Sequence, residues 1–163
     1  MSAPNLVVTG EEHARFLAEL EAIGREANAK LVFLIDRAGQ QIAGCGELAG
    51  VDPTALASLT AGNVAATEGV AALVGESEFT SLYHEGRQES LHVSVVGKRL
   101  ILLIVFDARS SLGLVRLRAD QHRPILEKHL EALLTRKADE PASQEIDDVF
   151  SSITEADIDA LFG

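Results

Sequence analysis

The chain has 163 residues, 47% of them apolar and 24% charged, the balance of one soluble globular domain with room for a tail. Lys and Arg number 14 against 25 Asp and Glu, and the net charge of −11 excludes a protein that grips a nucleic-acid backbone through a basic surface. The single Cys45 excludes an intrachain disulfide and a cysteine-only zinc site and fits a reducing compartment, and the opening MSAPNLVVTGEE shows no secretory leader.

The charge is unevenly placed. Residues 139–163 hold eight acids and no Lys or Arg, whereas residues 1–138 hold 14 bases against 17 acids and are near neutral. Pro141, Ala142 and Ser143 open the acidic stretch with linker chemistry. The chain therefore reads as an N-terminal extension over 1–10, a folded domain over 11–138 and an acidic flexible tail over 139–163.

Thr9 and Glu12 form a T-x-x-E capping box, and Phe16, Leu20, Ile23 and Ala27 follow at helical spacing, which predicts a helix over about 11–28. Residues 31–35 are a continuous apolar run, a strand covered on both faces. Asp36-Arg37-Ala38-Gly39 is turn chemistry, and 40–46 reads as the return strand of a hairpin, weakened by glycines. Asp52 as N-cap and Pro53 as first residue start a second helix that runs to about 75. Its only charge is Glu68. Leu56, Leu59, Ala66, Val70 and Leu73 share one face, and Ser58, Ala61, Gly62, Ala65, Gly69 and Ala72 a second. Ala57, Val64, Glu68 and Ala71 make a third. A helix apolar nearly all round is buried nearly all round, so this one is expected to pack on a second chain through its small-residue face. A membrane span is the competing reading, opposed by its Thr, Asn and Gly residues and the mid-helix acid.

Residues 76–90 read as a long loop. Leu91, Val93 and Val95 alternate with His92 and Ser94 as a strand, Gly97-Lys98 turns the chain, and 100–106 is the most apolar strand, expected at the sheet centre. Residues 114–118 alternate as a fifth strand. A last helix carries Ile125, Leu126, Leu130, Leu133 and Leu134, with Pro124 in or near its first turn and Arg136-Lys137 at its C-terminal dipole. The order α-β-β-α-β-β-β-α with hairpin links gives an α+β domain, a mostly antiparallel five-stranded sheet with helices on both faces.

Catalytic signatures are mostly absent: there is no G-x-S-x-G, Walker A or H-E-x-x-H pattern. Gly44-Cys45-Gly46-Glu47-Leu48-Ala49 matches G-x-G-x-x-A, but on a hairpin rather than a βαβ unit, and reads as glycines in a twisted edge strand. His122 and His129, seven apart, read as a solvated stripe. His84-Glu85 reads as an exposed pair, or as an acid–base pair without an evident nucleophile. Cys45 reads as a structural thiol. Arg37, Arg87 and Arg109 fall in turns or loops, where an arginine serves either as a surface charge or as a group inserted into a GTPase. In the tail, Thr154 and Asp157 form a second capping box and Ile153 and Ile158 a hydrophobic staple. Ile158, Leu161 and Phe162 then give segment 154–162 a one-sided apolar face. Too short to be helical alone, it is expected to fold on docking into a groove, with a plain solubilising tail as the other reading. No metal or cofactor site is indicated.

Residues 27–36 (ANAKLVFLID), 56–66 (LASLTAGNVAA), 75–79 (GESEF) with His84-Glu85-Gly86, and Phe106-Asp107 with 110–118 (SSLGLVRLR) resemble the bacterial polarity regulators of the roadblock / dynein light-chain family, over about residues 11–136. The resemblance implies a five-stranded antiparallel sheet between one helix on one face and two on the other. It implies a homodimer that pairs the third strands and packs the second helices, with Ser58, Gly62, Ala72, Leu91, Val93 and Val95 at the interface. It also implies a cytoplasmic protein, concentrated at a cell pole, that activates a small Ras-like GTPase of the MglA type in its GTP form, with no cofactor or catalytic residue of its own. By position, Ala65 and Gly69 would meet the GTPase, with Ala61 and Ala66 beside them and Arg15 of the first helix at a matching basic position. Glu68 departs from the small residue expected there. Ile153, Ile158, Leu161 and Phe162 are the candidate docking residues of the tail. Two other functions fit the residues: a non-catalytic adaptor or scaffold on the same fold, and a small enzyme using His84 and Glu85.

Overall fold

The computed structural model describes residues 6–139. The chain divides into two units at Leu130/Glu131, and the sheet with its helical cover belongs to the first. Of the second unit, residues 131–139 are described and continue the last helix.

Helix α1 (Gly10–Glu26) starts at the predicted capping box, with the Glu12 carboxylate accepting from the Thr9 N–H at 2.8 Å. Strands β1 (Leu31–Asp36) and β2 (Gln41–Gly46) form the expected hairpin. Helix α2 (Pro53–Val74) is capped by Asp52, whose side chain accepts from the Ala55 N–H at 3.1 Å, and Gly75 closes it. Strands β3 (Ser81–Glu85), β4 (Ser90–Val96) and β5 (Leu100–Phe106) follow, then helix α3 (Leu112–Asp139).

The sheet order is β2-β1-β5-β4-β3, with every pairing antiparallel. β1 and β5 lie in the middle and every residue of both is buried, which is why they read as unbroken apolar runs rather than alternating ones. Side chains alternate between the two faces. Leu31, Phe33, Ile35, Val93, Ile101, Leu103 and Val105 form one core with Ala57, Ala61 and Val64 of α2. Val32, Leu34, Leu102 and Ile104 are buried on the opposite face, where Gly24 of α1 lies against Val32 and Cys45. The result is one helix on one face and two on the other.

Two expected elements differ. The segment 76–90 is not one loop, because it contains edge strand β3. Its sequence, SLYHE, lacks an apolar run, since an edge strand covered on one side needs few large apolar side chains. Residues 114–118 are not a strand but the first turns of α3. The alternation there is local, and the start signal is Ser111, whose hydroxyl accepts from the Leu114 N–H at 3.2 Å. Pro124 consequently sits inside α3 rather than in its first turn. Its outer, exposed position is where a helix best tolerates a lost backbone donor.

The histidines of α3 are not a solvated stripe. His129 packs edge-on against Phe16, ring centroids 5.9 Å apart. His122 is largely enclosed between two carboxylates of α1. Its Nδ1 lies 2.8 Å from Glu19, and its Nε2 contacts Glu26. Burial alone would push its pKa down, but the hydrogen bonds to both carboxylates outweigh that and raise it above the ordinary 6.5. The opposite case is His92 on β4, 1% exposed, with neither ring nitrogen bonded to a described protein group. Burial, aided by Arg116 and Arg123, pushes its pKa down.

A raised pKa means that the charged His122 stabilises the fold fully below 6.5 and less as pH rises through the raised value. The melting temperature of the protein should therefore exceed that of His122→Gln most at about pH 6, with the gap closing toward alkaline pH. Calorimetry of both proteins across that range checks the sign, and a gap that widens with pH contradicts it.

Candidate docking surface on the second helix

Helix α2 meets the sheet through small residues. Ala57, Thr60, Ala61, Val64 and Ala71 are buried, and these short side chains let the helix lie close to Phe33 and Leu103. Gly39 in the β1–β2 turn makes the same close approach from the side. Its φ is +89°, and a Cβ there would stand 3.0 Å from the Ser58 backbone, so only glycine fits. Arg37 of the same turn donates from Nε to the Lys98 carbonyl and from Nη1 to the Glu68 carboxylate. On the other flank, Asn63 Nδ2 lies 3.1 Å from His84 Nε2 on β3.

At about 100° per residue, the positions opposite this buried stripe point outward. Leu73 is 87% exposed and Leu59 74%, with Val70 and Val74 also open. Ser58, Gly62, Ala65, Ala66, Gly69 and Ala72 lie among them and are exposed. Large exposed apolar side chains clustered on one helix mark an interaction surface. Beside it runs β3, a free edge of the sheet whose backbone groups are available for pairing with another strand.

The structure gathers some of the residues expected at an interface and separates others. Ala65, Ala66 and Gly69 share the outer surface with Ser58, Gly62 and Ala72. Ala61 does not, being buried on the sheet at 7% exposure. Arg15 is exposed on α1, on the opposite face of the sheet from α2. Leu91, Val93 and Val95 lie on β4, which is already paired with β3 and β5, so their strand has no edge to offer a twin. The edge on this side of the sheet is β3, which the sequence pattern left inside a loop. Ile153, Ile158, Leu161 and Phe162 lie outside the described residues.

Other candidates resolve as structural groups. His84 and Glu85 are successive strand residues and point to opposite faces, so they do not form an acid–base pair. Burial pushes the Cys45 thiol up, away from the reactive thiolate. Gly46, at φ +107°, packs where a Cβ would stand 2.3 Å from the Lys30 carbonyl oxygen, so the glycine motif serves the hairpin. Arg109 is tied to Asp107 and Glu47, and Arg37 as above, while Arg87 is exposed in the β3–β4 turn. Among the described residues no cluster could hold a metal ion, and no helix is long and apolar enough to cross a membrane. The Arg37–Glu68 pair was missed from sequence. Its one signal was Glu68 itself, a lone charge in an apolar helix.

These features define a domain class. Residues 16–106 match the Roadblock/LC7 domain, and the chain belongs to that family. Within the family it is similar to MglB of Myxococcus xanthus, at 48% identity over 78% of this chain and 96% of that one, with a TM-score of 0.74. The gliding protein MglB from Thermus thermophilus is 34% identical over 80% of this chain and 99% of its own, with a TM-score of 0.73. An MglB with a tetrameric arrangement is 33% identical over 81% and 99%, with a TM-score of 0.75. No curated protein matches the chain.

The burial difference between Ala61 and Ala65 separates a core position from a surface one. Ala61→Leu should lower stability by about 1–3 kcal/mol, through overpacking against the sheet. Ala65→Leu should change it by less than about 0.5 kcal/mol. Urea unfolding midpoints of the two variants make the comparison.

Proposed function

We propose that this protein is a GTPase-activating regulator of a small Ras-like GTPase of the MglA type, acting as a homodimer in the control of cell polarity and motility. The observation that carries the reading is the outer face of α2, a broad apolar and small-residue surface that the described residues leave uncovered. Its likeness to MglB, and the gliding role named for the Thermus relative, support the same conclusion. Self-association is supported by the β3 edge, unpaired among the described residues, and by the exposed Val70, Leu73 and Val74, whose burial would contribute at most roughly 1.5–3 kcal/mol each.

The chemistry open to this surface is limited. Ala65, Ala66, Gly69 and Ala72 carry no group that could donate or accept a proton, so α2 cannot act as an acid or base. It can act by binding one conformation of the partner more tightly than others, the one in which the GTPase's own arginine and glutamine meet the γ-phosphate. Such a regulator has no turnover of its own. An adaptor on the same fold would bind without changing the rate.

The deciding experiment is phosphate release from a purified MglA-type GTPase with and without this protein. Acceleration is expected, and binding without acceleration would assign the adaptor role. Gly69→Arg should leave the domain folded, because nothing lies within 4 Å of a Cβ at that position, yet abolish acceleration. Normal stimulation by the folded variant would remove this surface from the mechanism. Deleting 139–163 should weaken GTPase binding, and unchanged affinity and rate would leave the tail a solubilising appendage.

A further inference from the structure

The second half of α2 is held differently from the first. Ala57, Thr60, Ala61 and Val64 are buried on the sheet, but beyond Val64 only Ala71 is. Beneath this stretch lies a narrow recess of only about 10 Å3, lined in part by Val64, Thr67, Glu68, Phe79, Leu82 and Val93. With only Ala71 buried in this half, few side chains make dispersion contacts with the sheet, so packing restrains it weakly. Arg37 reaches it from the β1–β2 turn. The Arg37 side chain is 28% exposed and that of Glu68 44%, a partly shielded pair. Arginine suits the position because its planar fork donates in two directions at once, to the Lys98 carbonyl and to Glu68.

We infer that Arg37 is a positioning residue that tethers the second half of α2 above the recess, and so fixes the surface around Ala65 and Gly69 that a GTPase meets. The GTPase clause rests on the function proposed above, while the tether does not. A surface that selects one partner conformation must itself be held in one place. Loosening it costs discrimination between partner conformations more than it costs binding.

Amide hydrogen exchange over 67–74 in the whole protein tests the tether without a partner. Arg37→Gln and Glu68→Gln should each speed exchange there by roughly three- to fivefold, the range of a partly exposed ion pair, and the double variant no further. Unchanged exchange in either single variant, or additive effects, overturns the tether. Glu68→Gln, nearly isosteric and on the surface, keeps the test valid should Arg37→Gln fail to fold. With the GTPase present, the same variants should lower the maximal stimulated rate by roughly the same factor while the half-stimulating concentration moves less than about twofold. Faster exchange with an unchanged maximal rate overturns the positioning role. A wild-type protein that accelerates no MglA-type GTPase refutes the proposed function and the positioning role with it, and exchange still decides the tether.

Discussion

The packing of α2 on the sheet through Ala57, Ala61 and Val64 constrains what its outer face can do. Small side chains bring the helix close to Phe33 and Leu103, and at that distance the β1–β2 turn can touch it through Gly39 and hold it through Arg37. Leu59, Val70, Leu73 and Val74 of α2 are thereby turned away from the core. Leu59 and Leu73 would each gain from burial, but on the sheet their place is taken by smaller side chains, and among the described residues nothing covers them.

The two faces of the sheet are built for different purposes. On one, α1 and α3 cover the strands together, and His122 between Glu19 and Glu26 joins the two helices by charge as well as by packing. On the other, α2 is the one helix among the described residues. A single helix cannot cover five strands, so a recess opens over β3 and β4. The edge strand β3 and the outward stripe of α2 belong to this thinly covered face. A docking surface requires that arrangement, because apolar area has to be kept available without collapsing into the core of its own chain.

Much of this architecture was legible in local chemistry. The capping box at Thr9, the Asp52-Pro53 helix start and the apolar runs of β1 and β5 are signals carried within a few residues, and each element lies where its signal places it. Strand β3 was hidden because Ser81-Leu82-Tyr83-His84-Glu85 owes its conformation to pairing with β4, not to its own propensity. The start of α3 was hidden for the complementary reason. Two periods of alternation in 114–118 look like a strand, and the Ser111 cap is a single residue among polar neighbours. Among candidate site residues, Ala65, Ala66 and Gly69 are exposed, while Ala61 differs from them only in which side of the helix meets the sheet.

By itself the sequence determined that the second helix is nearly uncharged and apolar on most sides, because periodicity and composition are properties of the chain alone. It could not determine which side faces inward. Hydrophobicity would have chosen Leu59, Val70 and Leu73, and the tertiary structure chose the alanines. Steric fit against a particular sheet decided the matter, and fit depends on the distance between elements far apart in the chain, as does the meeting of Arg37 with Glu68.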